Sequence, residues 1–106
     1  MGGLVIGQEL GRHLDCRFIF AEKVEGRLAM RRFDIQPGER FLVAEDVMTR
    51  GGRIQETIDI VRERGGVVDS VCVLVDRSGG KVKFDVPVVS LLQWEPGIRG
   101  VEEVIR

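Results

Sequence analysis

Apolar residues fall along this chain in two rhythms. Ile6, Leu10 and Leu14 recur four apart with Gln8, Glu9 and Arg12 between them, which predicts an amphipathic helix over residues 4–14 entered through Gly2-Gly3. Gly7 and Gly11 place two bare backbone patches on one face of it, a surface suited to lying close on a sheet. Ile54, Ile58 and Val61 repeat the helical spacing against Gln55, Glu56, Asp59 and Arg62, and Gly65-Gly66 ends that second helix. Elsewhere apolar residues run without a break. These runs predict strands over residues 17–21, 40–46, 67–76 and 86–92, the last with Pro87 at its start. Because 18–21 and 41–44 are apolar at successive positions, both are expected to be buried on two faces, inside a parallel sheet. Residues 22–32 read as a two-stranded excursion turning at Glu25-Gly26, Gln36-Pro37-Gly38-Glu39 as a turn, and 101–106 as a short terminal helix. Strand and helix alternate, so the class is α/β, a mostly parallel sheet with flanking helices.

At 106 residues the chain is expected to form one domain, 1–106. Its 16 basic and 17 acidic residues give a net charge of −1, which offers no bulk attraction for nucleic acid or a membrane surface. The start carries no signal-peptide pattern and no apolar run reaches spanning length, so the expected location is the cytoplasm. Cys16 and Cys72, far apart, suit a reduced compartment, and with His13 they lack the spacing of a metal site. His13 reads as a surface residue that compensates a helix dipole.

Candidate chemistry concentrates in residues 41–53. There a strand runs into Glu45-Asp46, then Thr49, then Gly51-Gly52, and a helix opens at once. A glycine-rich turn before a helix offers backbone N–H groups and a favourable dipole to an anion such as phosphate. Two carboxylates would repel a bare phosphate. The expected ligand therefore pairs a phosphate with hydroxyls or a metal ion that carboxylates can hold. The next strand also ends in charge, Asp76-Arg77, before Ser78-Gly79-Gly80. Lys23, Arg27, Arg31 and Arg32 make the excursion basic; it reads either as a solvated hairpin with charge-blunted edges or as a mobile arm that brings cations to a polyanion.

The run from Phe41 to Arg53 resembles the signature of the type I phosphoribosyltransferases: hydrophobic residues, two acids, an apolar pair, Thr and a glycine-rich turn. Three further stretches are similar to the orotate branch of that family: Gly2-Gly3 before a helix, Phe18-Ile19-Phe20-Ala21-Glu22-Lys23, and Val75-Asp76-Arg77-Ser78-Gly79-Gly80. The resemblance implies transfer of phosphoribose from phosphoribosyl pyrophosphate to orotate, with Mg²⁺. It implies phosphoribosyl pyrophosphate on Glu45, Asp46, Val47, Met48, Thr49, Arg50, Gly51, Gly52 and Arg53, with the two carboxylates at the ribose hydroxyls and the backbone of 49–53 around the 5′-phosphate. It implies pyrophosphate on Gly2 and Gly3, and orotate on Thr49 and Arg77. Lys23 and Asp46 become the catalytic candidates, Lys23 acting in the partner subunit's site. Arg50 and Arg53 stand where the family commonly has small or hydroxyl residues, which adds positive charge beside the phosphate.

The family also has a longer N-terminal portion, with a hood over the base and a core strand entering the pyrophosphate loop, and no counterpart is found in this chain. Interior strands left with an unpaired edge recruit other chains, so a homodimer or larger assembly is expected. The alternative to an enzyme is a non-catalytic module that senses phosphoribosyl pyrophosphate or a nucleotide.

Overall fold

The computed structural model describes residues 2–30 and 33–93 and is α/β. Helix α1 (Gly2–Leu14) leads through an irregular stretch to an antiparallel hairpin, β1 (Glu22–Val24) and β2 (Arg27–Ala29). Then come β3 (Arg40–Met48), α2 (Gly52–Glu63), β4 (Val67–Asp76) and β5 (Val88–Gln93). The last three strands form a parallel sheet in the order β3-β4-β5. The segment 101–106 lies outside the described residues.

The core forms where α2 lies on this sheet. Ile54, Ile58 and Val61 occur at the helical spacing and are buried against Val43, Met48, Val68, Val71 and Val73. Each such side chain contributes about 1.5–3 kcal/mol by leaving water. The helix closes as its pattern requires: Gly65 takes φ 91°, its amide donates to the Arg62 carbonyl, and the Gly66 amide reaches back to Val61. In β4 one extra residue shifts the pairing, since Phe41 faces Val68 but Leu42 faces Ser70. That bulge lets Val68, Val71 and Val73 all be buried, and Arg40 secures the unpaired Asp69 at 2.9 and 3.1 Å. The turns expected at 25–26 and 36–39 are present: Glu25 and Gly26 take φ 52° and 81°, and the Glu39 amide donates to Gln36.

Four expectations need correction. First, α1 begins at Gly2, so Gly2 and Gly3 form its first turn instead of preceding it. Second, α1 does lie against β3 of the sheet, but what the bare patches of Gly7 and Gly11 directly admit is a ring and a backbone turn: a Cβ at Gly7 would stand 2.3 Å from Phe18 Cε1, and one at Gly11 3.1 Å from the Cys16 carbonyl oxygen and 3.4 Å from Phe18 Cβ. Third, residues 17–21 are not a strand. Extended backbone becomes a strand only through a ladder. This segment is held by side chains instead, Phe18 on α1, Phe20 edge-on to Phe33 at 5.1 Å, and Arg17 on the Glu39 carboxylate and the Asp34 carbonyl.

Fourth, β3 continues past the two acids to Met48, because Val47 still pairs with Val75 and Met48 with Asp76. Its only ladder among the described residues is with β4, so it is an edge strand and β4 is the interior one. Leu42 is 38 % exposed, and on the same sheet Leu74, Val89 and Leu91 are 39, 54 and 75 % exposed. Apolar residues at successive positions did not here mean two covered faces.

The seat of Phe18 makes a prediction. Alanine is favoured over glycine in a helix by about 1 kcal/mol. Overpacking against a ring typically costs about 1–3 kcal/mol. Gly7→Ala should therefore lower stability by about 1 kcal/mol, while Gly11→Ala, whose Cβ would meet the Cys16 carbonyl oxygen at 3.1 Å instead of a ring at 2.3 Å, should cost less. Urea midpoints of the two variants check this; a more stable Gly7→Ala would show that the ring is not packed there.

Candidate functional site

The acidic pair lies two residues before the end of β3, in the last paired stretch of the strand. Its carboxylates are engaged locally: the Asp46 amide donates to Glu45 Oε1 at 3.0 Å, and the Val47 amide to Asp46 Oδ1 at 2.8 Å. Five residues after Asp46 the chain reverses at Gly51, whose φ of 81° is left-handed, and α2 begins. No side chain caps this helix and no acid lies in its first turn. Its leading amides are thus left for an outside acceptor. Residues Glu45 to Ile54, every one of them, line a single cavity of about 370 Å³. Carboxylate acceptors on one side and amide donors on the other can bind a phosphorylated polyol end to end.

Residues between β4 and β5, to which the apolar pattern assigns no element, hold this turn in place. A Cβ at Gly51 would stand 2.5 Å from Val82 Cγ1 and 3.0 Å from Phe84 Cζ. Val82, Phe84 and Val86 pack on the core while Lys81, Lys83 and Asp85 are exposed. That alternation is visible in the sequence and was the available signal. The segment carries the parallel crossover from β4 to β5 without a helix. A second cavity, about 300 Å³, opens beside it between Asp76, Lys83, Phe84, Ser90 and Gln93. Asp76, only 3 % exposed, accepts from the Ser78 amide at 2.8 Å and the Ser78 hydroxyl at 2.6 Å, which shapes the glycine-rich turn after β4.

The expected site residues fall into three groups. Glu45 to Arg53 come together in one cavity. Thr49 and Arg77 are neighbours, because each follows a member of the Met48–Asp76 pair and the Arg77 amide donates to the Met48 carbonyl at 2.8 Å. Both are exposed, at the carboxyl edge of the sheet. Lys23 is not brought to them. It lies exposed on β1, in a hairpin whose following residue Met30 accepts from Arg64, at the far end of α2. A helix of this length spans about 18 Å. Gly2 and Gly3 sit at the start of α1, where backbone amides lack helical acceptors.

Comparison with known proteins bears on this arrangement. The chain is 48 % identical over 96 residues to orotate phosphoribosyltransferase from Caldicellulosiruptor bescii, covering 90 % of this chain and 50 % of that protein. It is 46 % identical over 96 residues to the enzyme of Heliobacterium modesticaldum, with the same coverage. The chain is thus similar in sequence to about half of an orotate phosphoribosyltransferase. It spans about half the length of the curated relatives it matches. Among solved structures, orotate phosphoribosyltransferase from Aeropyrum pernix matches with a TM-score of 0.63 and 27 % identity over 88 % of this chain and 55 % of that one. Adenine phosphoribosyltransferase from Thermoanaerobacter pseudethanolicus matches with a TM-score of 0.75 at 23 % identity, covering 89 % and 66 %, a likeness of fold. No family model matches the chain. The fold is that of the type I phosphoribosyltransferases.

Within the cavity the two carboxyls are driven apart. Burial, and then a hydrogen bond from its carboxyl to Asp46, push Glu45 above the ordinary 4.5, against a pull downward from Arg53. Burial also pushes Asp46 upward, but hydrogen bonds from Glu45 and the Val47 amide outweigh it and hold Asp46 below its ordinary 3.8. The pair titrates as a unit, with Asp46 the ionised member. A carboxyl raised by folding contributes stability in full below about pH 4.5, and that contribution is lost as pH rises through the folded value. Glu45→Gln should thus gain stability relative to the native chain as pH rises from 4 to 8. Urea titrations across that range check it, and a difference that stays flat with pH would contradict the assignment.

Proposed function

We propose that this chain carries the phosphoribosyl-pyrophosphate and orotate sites of an orotate phosphoribosyltransferase, which makes orotidine 5′-phosphate and pyrophosphate. The observation that carries this reading is the continuous run Glu45 to Ile54 lining one cavity at an uncapped helix start, in a chain 45–48 % identical to named orotate phosphoribosyltransferases. The amides from 49 to 53 receive the 5′-phosphate. Asp46, kept ionised, and Glu45 accept from the ribose hydroxyls and fix the sugar. The reaction breaks the bond from the anomeric carbon to pyrophosphate and forms one to a ring nitrogen of orotate, which gives up its proton. Positive charge grows on the ribose ring as the diphosphate leaves, and nearby carboxylates stabilise it.

Arg77, beside Thr49, pairs with the carboxylate of orotate through its guanidinium fork. Pyrophosphate is received by the first turn of α1 at Gly2-Gly3. Lys23 does not line the cavity of its own chain, and we assign its role at the pyrophosphate to a partner subunit; the edge of β3, unpaired among the described residues, and the exposed Leu74, Val89 and Leu91 offer surface for a homodimer. The described residues hold no group of three or more potential ligands able to bind a metal alone. Two adjacent carboxylates fit Mg²⁺ shared with substrate oxygens, where the ion would neutralise the diphosphate. The compartment we infer is the cytoplasm; no helix among the described residues is long and apolar enough to cross a membrane. The placement of Lys23 also favours a second reading, a phosphoribosyl-pyrophosphate-binding module without turnover. Mg²⁺-dependent consumption of orotate supports the enzyme; tight binding of phosphoribosyl pyrophosphate with no orotate consumed supports the module.

Two variants test the roles. Asp46→Ala should weaken phosphoribosyl pyrophosphate by about 2 kcal/mol or more, since it removes a charged acceptor and a metal contact. Unchanged affinity in calorimetry would take Asp46 out of the site. Arg77→Ala should weaken orotate by about 1.5–3 kcal/mol, the range for a hydrogen bond to a charged group, and phosphoribosyl pyrophosphate much less. Equal loss for both ligands would make Arg77 a structural residue.

A further inference from the structure

The start of α2 breaks the usual rule of helix charge. Acids are favoured in a first turn and cations in a last one. Here the first turn has no acid, Gly51 offers no side-chain cap, and Arg53 is the second residue of the helix. Arg50 stands on the other side of Gly51-Gly52 and is likewise exposed. Both arginines line the cavity that holds Glu45 and Asp46. The arginines at 12, 17, 40 and 62 are each committed to a carboxylate at 2.8 Å, and among the described residues neither Arg50 nor Arg53 makes such a pair. Arg53 is near enough to Glu45 to favour its ionised form. Two guanidinium groups beside a positive helix end repel it and each other until an anion arrives.

We propose that Arg50 and Arg53 form a side-chain clamp over the backbone cradle of Gly51-Gly52, making this loop selective for a doubly charged phosphate monoester on a sugar. The proposal rests on the reading of residues 45–53 as a phosphoribosyl site and adds what the glycine backbone alone does not supply. Backbone amides bind a phosphate through short-range hydrogen bonds, with modest dependence on its charge. Guanidinium groups respond to charge, so affinity gains both a strong salt dependence and a dependence on the second phosphate ionisation, near pH 6.

The test is calorimetric binding of ribose 5-phosphate to the full chain at about 50 and 200 mM salt, for the native protein, Arg50→Gln/Arg53→Gln and Arg50→Lys/Arg53→Lys, with phosphoribosyl pyrophosphate as a second probe. The glutamine variant should bind ribose 5-phosphate at least tenfold more weakly, with most of the salt dependence gone. The lysine variant should recover the salt dependence and only part of the affinity, because the charge remains and the fork does not. Native-like affinity and salt dependence in the glutamine variant would overturn the clamp while leaving the phosphoribosyl site intact. The same holds if the lysine variant behaves as the glutamine one. If the native chain binds neither probe, the phosphoribosyl reading fails, and the clamp with it.

Discussion

A single backbone position joins strand to helix at the centre of this fold. Gly51 turns the chain with a left-handed φ, and Val82 and Phe84 from the β4–β5 crossover press against the place where a side chain would be. Any other residue there would meet both backbone strain and a clash. Because the turn is tight and held from outside, β3 and α2 can lie antiparallel with their apolar faces together, and Ile54, Ile58 and Val61 reach Val43, Val71 and Val73. The same turn brings the carboxylate-bearing end of the strand and the start of the helix into one cavity. Packing and site geometry here have one origin.

The cost of such an arrangement is visible in the electrostatics. Adjacent carboxyls at a partly buried strand end do not both ionise readily, and the structure separates them into a raised Glu45 and a lowered Asp46. The helix start is uncapped and bordered by arginines. At neutral pH the raised Glu45 and the uncapped helix start oppose stability in the free protein. Departures of this kind are the pattern expected where local rules yield to function.

Much of this was legible in the sequence because the relevant signals are local. The spacing of Ile54, Ile58 and Val61, the Gly65-Gly66 stop and the apolar run of β4 fixed α2 and its neighbour, and the order of acids, hydroxyl and glycines located the cavity. What was not legible depended on partners distant in sequence. Residues 17–21 have the composition of a strand, but a strand needs a ladder, and Phe18 found glycines of α1 instead. The end of β3 at Met48 follows from its pairing with Asp76, which no property of Val47 or Met48 announces. Lys23 belongs to a family-like stretch in sequence but is not among the residues that line the cavity.

The central claim is that the amides of residues 49–54 and the carboxylates of Glu45 and Asp46 receive one phosphoribosyl ligand. An amide-resolved NMR titration with phosphoribosyl pyrophosphate and Mg²⁺ tests it most directly. The account predicts saturable shifts that are largest between Glu45 and Ile54, with smaller ones at Arg77 and the 81–84 segment that supports Gly51. Saturable shifts centred elsewhere, or none in the 45–54 run at ligand concentrations that saturate the named relatives, would contradict it.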